Sequence, residues 1–142
     1  VRSRGLGDVY KRQIFLDLYN DFENYINHRN NTSTTRKEDL THRFYTLMMD
    51  NYREHKEVIF YADKLHVSSK YLSEVVKETS GKSPKDWIID YSLLEIKELL
   101  KNSSLNIQEI TIRTKFLNQS ALGRFFKRHT NMSPSEYRES TY

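Results

Sequence analysis

Apolar positions recur at spacings of three and four along this chain, the period of an amphipathic helix. Over 14–29, Phe15, Leu18, Phe22, Tyr25 and Ile26 form one stripe, while Asp17, Asp21, Glu23 and Asn24 take the other face. The polar run 27–35 reads as a linker. Thr35 and Glu38 are spaced as a capping box, in which each side chain satisfies the other's backbone amide. A helix is predicted from there to about His55, with Leu40, Phe44, Leu47, Met48, Asn51 and Tyr52 on one face. A short helix over 58–65 follows, with the small Ala62 suited to a close helix crossing. His66 and Val67 make a corner, and Ser68 or Ser69 caps the next helix. That helix, 70–80, buries Leu72, Val75 and Val76, and Gly81 stands where a helix stop takes a left-handed residue.

The same signals then return. Ser83 and Pro84 followed by Asp86 mark a helix start, because serine caps and proline needs no amide partner in the first turn. The helix runs to about Lys101. Trp87, Ile88, Ile89, Tyr91, Leu93, Leu94, Ile96, Leu99 and Leu100 cover more than one of its sides, which predicts a connector covered by both flanking lobes. Asn106 and Glu109 cap another short helix, with Ile107, Ile110 and Phe116 feeding a core. Asn118 or Gln119 begins a helix whose Leu122, Phe125 and Phe126 point inward. Asn131 stops it, and Ser133-Pro134-Ser135-Glu136 starts a last helix ending near Ser140. Sliding this second set back by 50 pairs Leu72 with Leu122, Lys77 with Lys127, Trp87 with Tyr137, and SGKSP with TNMSP. An internal repeat of this kind is two copies of one supersecondary unit. Each copy is two short helices about a tight corner, the layout of a helix-turn-helix, whose second helix enters a DNA major groove. The fold class is therefore all-α, a seven-helix tandem helix-turn-helix domain preceded by an extra amphipathic helix.

Charge sharpens this picture only locally. The chain of 142 residues carries a formal +4. Residues 14–100 are slightly acidic, whereas 101–142 hold seven basic side chains against three acidic ones. Positive charge thus gathers about the second unit, where it attracts phosphate whatever the base sequence. The opening 1–13, VRSRGLGDVYKRQ, has no apolar period and reads as a non-native leader of the cloning-adapter kind; its alternative is a basic arm that touches DNA.

Other chemistries find little support. With no cysteine, disulfides and thiolate zinc sites are excluded. The histidines at 28, 42, 55, 66 and 129 form no HxxxH pair, so no metal is expected. There is no GxSxG elbow, no phosphate-cradling glycine loop and no paired carboxylates in an apolar setting, so no catalytic residues and no cofactor are expected. No run of about 18 apolar residues is present, and no charged-then-apolar leader, so a cytoplasmic location is expected.

Two stretches, YADKLHVSSKYLSEVVKETSGKSPKDWI and SALGRFFKRHTNMSPSEYR, carry a resemblance to the C-terminal half of AraC/XylS-type transcriptional regulators, most of all the Bacteroidetes versions. The resemblance spans about 36–140, with the DNA-binding domain at 36–142. It places the first helix-turn-helix at about 58–82, the connector at 84–101, the second helix-turn-helix at about 107–131 and the last helix at about 134–140. Residues 14–35 resemble the last helix and linker of a regulatory half whose sensing barrel is absent. The resemblance implies a sequence-specific regulator, an activator by family habit, with both recognition helices in successive major grooves of double-stranded DNA. It implies RNA polymerase as a partner and an effector bound by the absent N-terminal domain. A homodimer through the 14–29 helix is a further expectation.

Carried across by position, the family's base-reading places fall on Lys70, Ser73 and Glu74, and on Gln119, Ser120, Ala121 and Arg124. Arginine can fork onto guanine, glutamine onto adenine, and glutamate can accept from cytosine. Lys77, Lys127, Arg128 and the capping amides near Ser69 and Asn118 suit phosphates. The chain also departs from the family pattern. Lys115 replaces a corner glycine, Thr111 a small alanine, and Ala121 and Gly123 an aromatic and a serine. These departures, with Glu74, support a second reading: a protein-interaction or dimerisation module whose degenerate second helix-turn-helix no longer binds DNA.

Overall fold

The computed structural model describes residues 35–141 together with Asn20. Asn20 apart, the leader at 1–13 and the helix expected over 14–29 lie outside the described residues. Among the described residues there are seven helices and no strand: α1 (Arg36–Asn51), α2 (Val58–Lys64), α3 (Ser69–Ser80), α4 (Pro84–Asn102), α5 (Ile107–Arg113), α6 (Gln119–Thr130) and α7 (Pro134–Glu139). The all-α reading of the sequence is borne out.

Helix starts follow their caps closely. Thr35 Oγ1 accepts from the Glu38 amide and Glu38 Oε2 accepts from the Thr35 amide, each at 3.2 Å. Ser68, Asn106, Asn118 and Ser133 each accept from the amide three residues on. Of the two serines the sequence left open, Ser68 is the cap, and Ser69 is the first helical residue. The end of α1 differs from expectation: it stops at Asn51, not near His55. The amides of Glu54 and His55 both turn back on the Asn51 carbonyl. Just beyond, the His55 ring stacks flat on Phe60 at 3.6 Å, and its carbonyl accepts from the Tyr61 hydroxyl at 2.7 Å.

The chain divides into two compact units, one ending at Tyr91 and the other beginning its described part at Ser92. In the first, Leu40, Phe44, Tyr45 and Met48 of α1 meet Tyr61 and Ala62 of α2, Leu72, Val75 and Val76 of α3, and Trp87, Ile88 and Tyr91 of α4. Aromatic rings dominate. Phe44 and Tyr45 stand edge-on to Tyr61 and Trp87 at 5.4 and 5.5 Å, and the Tyr45 and Tyr91 hydroxyls hydrogen-bond to each other. The Trp87 indole donates to Ser80 Oγ at 2.9 Å, which satisfies the one polar atom of an otherwise buried ring. In the second unit, Ile96, Leu99, Leu100, Leu105, Ile110, Leu122 and Phe126 form the core. Thr111, buried where an alanine was expected, donates its hydroxyl to the Ile107 carbonyl at 2.7 Å, so the polar group costs little there.

The repeat is not uniform in spacing. The bracing helices α2 and α5 are offset by 49 residues, and the following helices α3 and α6 by 50. The second corner is therefore one residue longer, and Leu117 beside it is 91% exposed.

Candidate nucleic-acid interface

Each corner ends its bracing helix in the same way. The Val67 amide donates to the Ala62 carbonyl and the Phe116 amide to the Thr111 carbonyl, at 3.0 and 3.1 Å. His66 and Lys115, one residue earlier, take the left-handed backbone that this closure needs. Lys115 was singled out in the sequence because glycine is usual there. His66 was not, and the structure gives it the same left-handed backbone.

On α3 the outward residues are Lys70, Tyr71, Glu74 and Lys77, with Ser73 and Ser69 half-buried. Leu72, Val75, Val76 and Thr79 hold the opposite side in the core. Lys70, Ser73, Glu74 and Lys77, three or four apart, share one face. Glu78, one turn beyond Glu74, pairs with Lys37 of α1 at 3.1 Å across solvent-exposed surface. Glu74 is exposed beside Lys70 and Lys77. Tyr71, 45% exposed in the first turn, was missed by the charge-led reading, since its only sequence signal is an aromatic off the apolar stripe.

On α6 the exposed residues are Gln119, Ser120, Arg124, Lys127, Arg128 and His129, while Ala121 is half-buried. Leu122 and Phe126 anchor the helix from behind, and Phe125 packs on Phe116 at 5.2 Å. Asn118 spends its side-chain oxygen on the Ala121 amide at 2.8 Å, leaving its own backbone amide at the helix start. Lys127 and Arg128 complement the helix's C-terminal end and concentrate positive charge there. Gln119 is not free-standing: its Nε2 donates to Oε1 of Gln108, on α5, at 2.9 Å. Gln108 was also missed; an uncharged residue in a bracing helix leaves no sequence signal. Two polar faces of recognition-helix type are thus brought out, one per unit. Among the described residues, no group of three or more His, Cys, Asp or Glu side chains could hold a metal.

A family model described as a helix-turn-helix domain matches residues 61–140, more than half of the chain. The HTH-type transcriptional regulator YdiP of Escherichia coli K12 is 26% identical over 137 residues, covering 96% of this chain and 45% of that protein. The lactose operon transcription activator of Staphylococcus xylosus is 26% identical over 101 residues, covering 71% of this chain and 36% of that protein. The chain thus spans less than half the length of these curated relatives. Among solved structures, the C-terminal domain of AraT, a response regulator from Geobacillus stearothermophilus, superposes with a TM-score of 0.65 at 25% identity, covering 76% of this chain and 93% of that one. The chain belongs to the AraC-type helix-turn-helix family of DNA-binding transcription regulators.

Proposed function

We propose that α3 and α6 each enter one of two successive major grooves, so that one chain reads a direct, non-palindromic site. The observation that carries this reading is the repetition itself. The same capped, strained corner is built twice, and each time it is followed by a helix with a buried apolar back and an exposed polar front. In this reading Lys70, Ser73 and Glu74, and Gln119, Ser120, Ala121 and Arg124, face base edges. Lys77, Lys127, Arg128 and the amides of Ser69 and Asn118 hold phosphates. The basic second unit supplies most of the nonspecific attraction.

The regulatory output we assign is activation through contact with RNA polymerase, by extension from the lactose operon relative, whose name states activation. The effector is assigned to sequence of the kind that the longer relatives carry outside the matched part. Pairing of chains is assigned to the 14–29 stripe, and action to the cytoplasm. Among the described residues no helix is long and apolar enough to cross a membrane.

The test is selection from a randomised duplex pool at two salt concentrations, followed by sequencing of the retained fraction. Two enriched motifs about 10 base pairs apart are expected, with affinity falling as salt rises. A single enriched motif would mean that one lobe reads and the other only clamps.

A further inference from the structure

We infer that Gln108 is a positioning residue for base reading: it holds the Gln119 amide in the orientation that pairs with adenine. The inference rests on the reading of α6 as a recognition helix proposed above. It starts from a contact between two exposed side chains on different helices, Gln119 Nε2 to Gln108 Oε1 at 2.9 Å. Gln108 lies in the first turn of α5, a helix fixed by the reciprocal Asn106–Glu109 capping box. Gln119 is the first residue of α6, fixed by the Asn118 cap. Both ends of the bridge are therefore held by rigid backbone.

Adenine presents an acceptor, N7, beside a donor, the N6 amino group. A glutamine reads it with one N–H and its carbonyl oxygen, but a free amide rotates and presents the reversed edge as readily. Its two ends have nearly the same shape and opposite hydrogen-bonding character. A phosphate oxygen only accepts, so one beside Gln108 turns the Gln108 amide hydrogens toward itself and its Oε1 toward Gln119, and Nε2 of Gln119 is then fixed. One of the two Nε2 hydrogens is used, and the other stays with the carbonyl oxygen for a base. The long side chain is also ordered before DNA arrives, which lowers the cost of ordering it on binding. Gln108 keeps both of its own amide hydrogens, which suit a phosphate oxygen beside the groove.

The first unit lacks this device. By the offsets of 49 and 50, the counterparts of Gln108 and Gln119 are Ile59 and Ser69. Ile59 is 60% exposed and has no polar atom in its side chain to offer. The two lobes therefore differ in how firmly their first helical position is held.

The test uses the full chain and the duplex obtained by selection. The base pair read by Gln119 is the one whose preference disappears in Gln119→Ala. Anisotropy titrations against the four variants at that pair are run for the wild type, Gln108→Ala, Gln108→Glu, Gln119→Ala and the Gln108→Ala/Gln119→Ala double variant. The wild type is expected to prefer adenine by roughly 5- to 150-fold, the range of a good bidentate pair. Gln108→Ala should lose most of that ratio with an unchanged melting temperature, and the double variant should lose no more than Gln119→Ala alone. Gln108→Glu still accepts the Nε2 hydrogen, so it should keep the preference while binding every duplex more weakly through phosphate repulsion. A preference that survives Gln108→Ala, or losses that multiply in the double variant, would overturn the inference and leave DNA reading by α6 standing. Failure of Gln119→Ala to alter any base preference would also overturn it. Failure of the wild type to retain any duplex at low salt would instead remove the recognition-helix reading itself.

Discussion

His66 and Lys115 hold the same backbone position in the two repeats, with φ of 58° and 63°. Their amides donate to the carbonyls of Asp63 and Ile112 at 3.2 Å, and the next residue's amide closes the longer bond to Ala62 or Thr111. This is the geometry in which a helix ends on a left-handed residue, and an L side chain there costs roughly 1–2 kcal/mol. Glycine at the same place removes that strain but loses about 0.5–1 kcal/mol of chain entropy. Lys115→Gly is therefore expected to stabilise the chain by roughly 0.5–1 kcal/mol. His66→Gly should gain less, because histidine is among the side chains that tolerate this region. Urea midpoints measured without DNA check both. A lower midpoint for Lys115→Gly would mean that its side chain makes a stabilising contact that outweighs the strain.

Gly81 and Gly123 are expected to respond in opposite directions to one substitution. A β-carbon added at either would meet nothing within 4 Å, so packing does not decide the outcome. Gly123 lies inside α6, where alanine is the better helix former, and Gly123→Ala should stabilise by about 0.5–1 kcal/mol. Gly81 stops α3 with φ of 82° and donates its amide to the Lys77 carbonyl at 2.9 Å. Gly81→Ala should therefore cost about 1 kcal/mol. Thermal unfolding of the two variants side by side is the measurement, and shifts of the same sign would contradict the account.

Which parts were legible in the sequence follows from how local their causes are. Thr35 with Glu38, Asn106 with Glu109, and Ser133 with Pro134 act within one turn, and each helix start stands where those residues placed it. The end of α1 has no such local mark: Asn51 to His55 include no glycine or proline, so the periodicity extends to His55 although the helix stops at Asn51. The left-handed corner at His66 carries no glycine to announce it, whereas at Lys115 the family pattern drew the eye. The faces of α3 and α6 could be read from charge and spacing. The bridge between Gln108 and Gln119 could not, because it depends on how one helix of a corner is set against the next. The extra residue of the second corner was hidden for a related reason, since one offset of 50 aligned the helices that carry the charge.

Stability should fall at high pH through Tyr61. Its hydroxyl lies in the core of the first unit and donates to the His55 carbonyl. Burial, and secondarily the charge of Glu57, hold its pKa well above the usual tyrosine range near 10. Above pH of about 10 the unfolded chain releases this proton while the folded chain keeps it. The folded state then binds more protons, so stability decreases as pH rises. Its contribution is complete below that pH and is lost progressively above it. In Tyr61→Phe the alkaline fall in the urea midpoint should be shallower, at the cost of the hydroxyl's hydrogen bond at neutral pH. An equal slope in both proteins would assign the alkaline loss to other groups.

Arg124 and Lys127 are expected to separate into two kinds of DNA contact. Both are exposed on α6, but Arg124 follows Gln119 and Ser120 by about one turn, while Lys127 sits in the last turn beside Arg128 and His129. Bases are read chiefly from the leading part of a recognition helix, and backbone contacts flank it. Arg124 has the fork that matches guanine O6 and N7, so Arg124→Ala should lose about 1–3 kcal/mol of discrimination at one base pair and leave preferences elsewhere intact. Lys127 is a point charge, so Lys127→Ala should weaken every duplex alike and flatten the logarithmic salt slope by about 1. Titrations of both variants against specific and scrambled duplexes at several salt concentrations distinguish these outcomes. If Arg124→Ala lowered affinity for all sequences equally and flattened the slope, Arg124 would be a phosphate contact, and base reading by α6 would fall to its first turn.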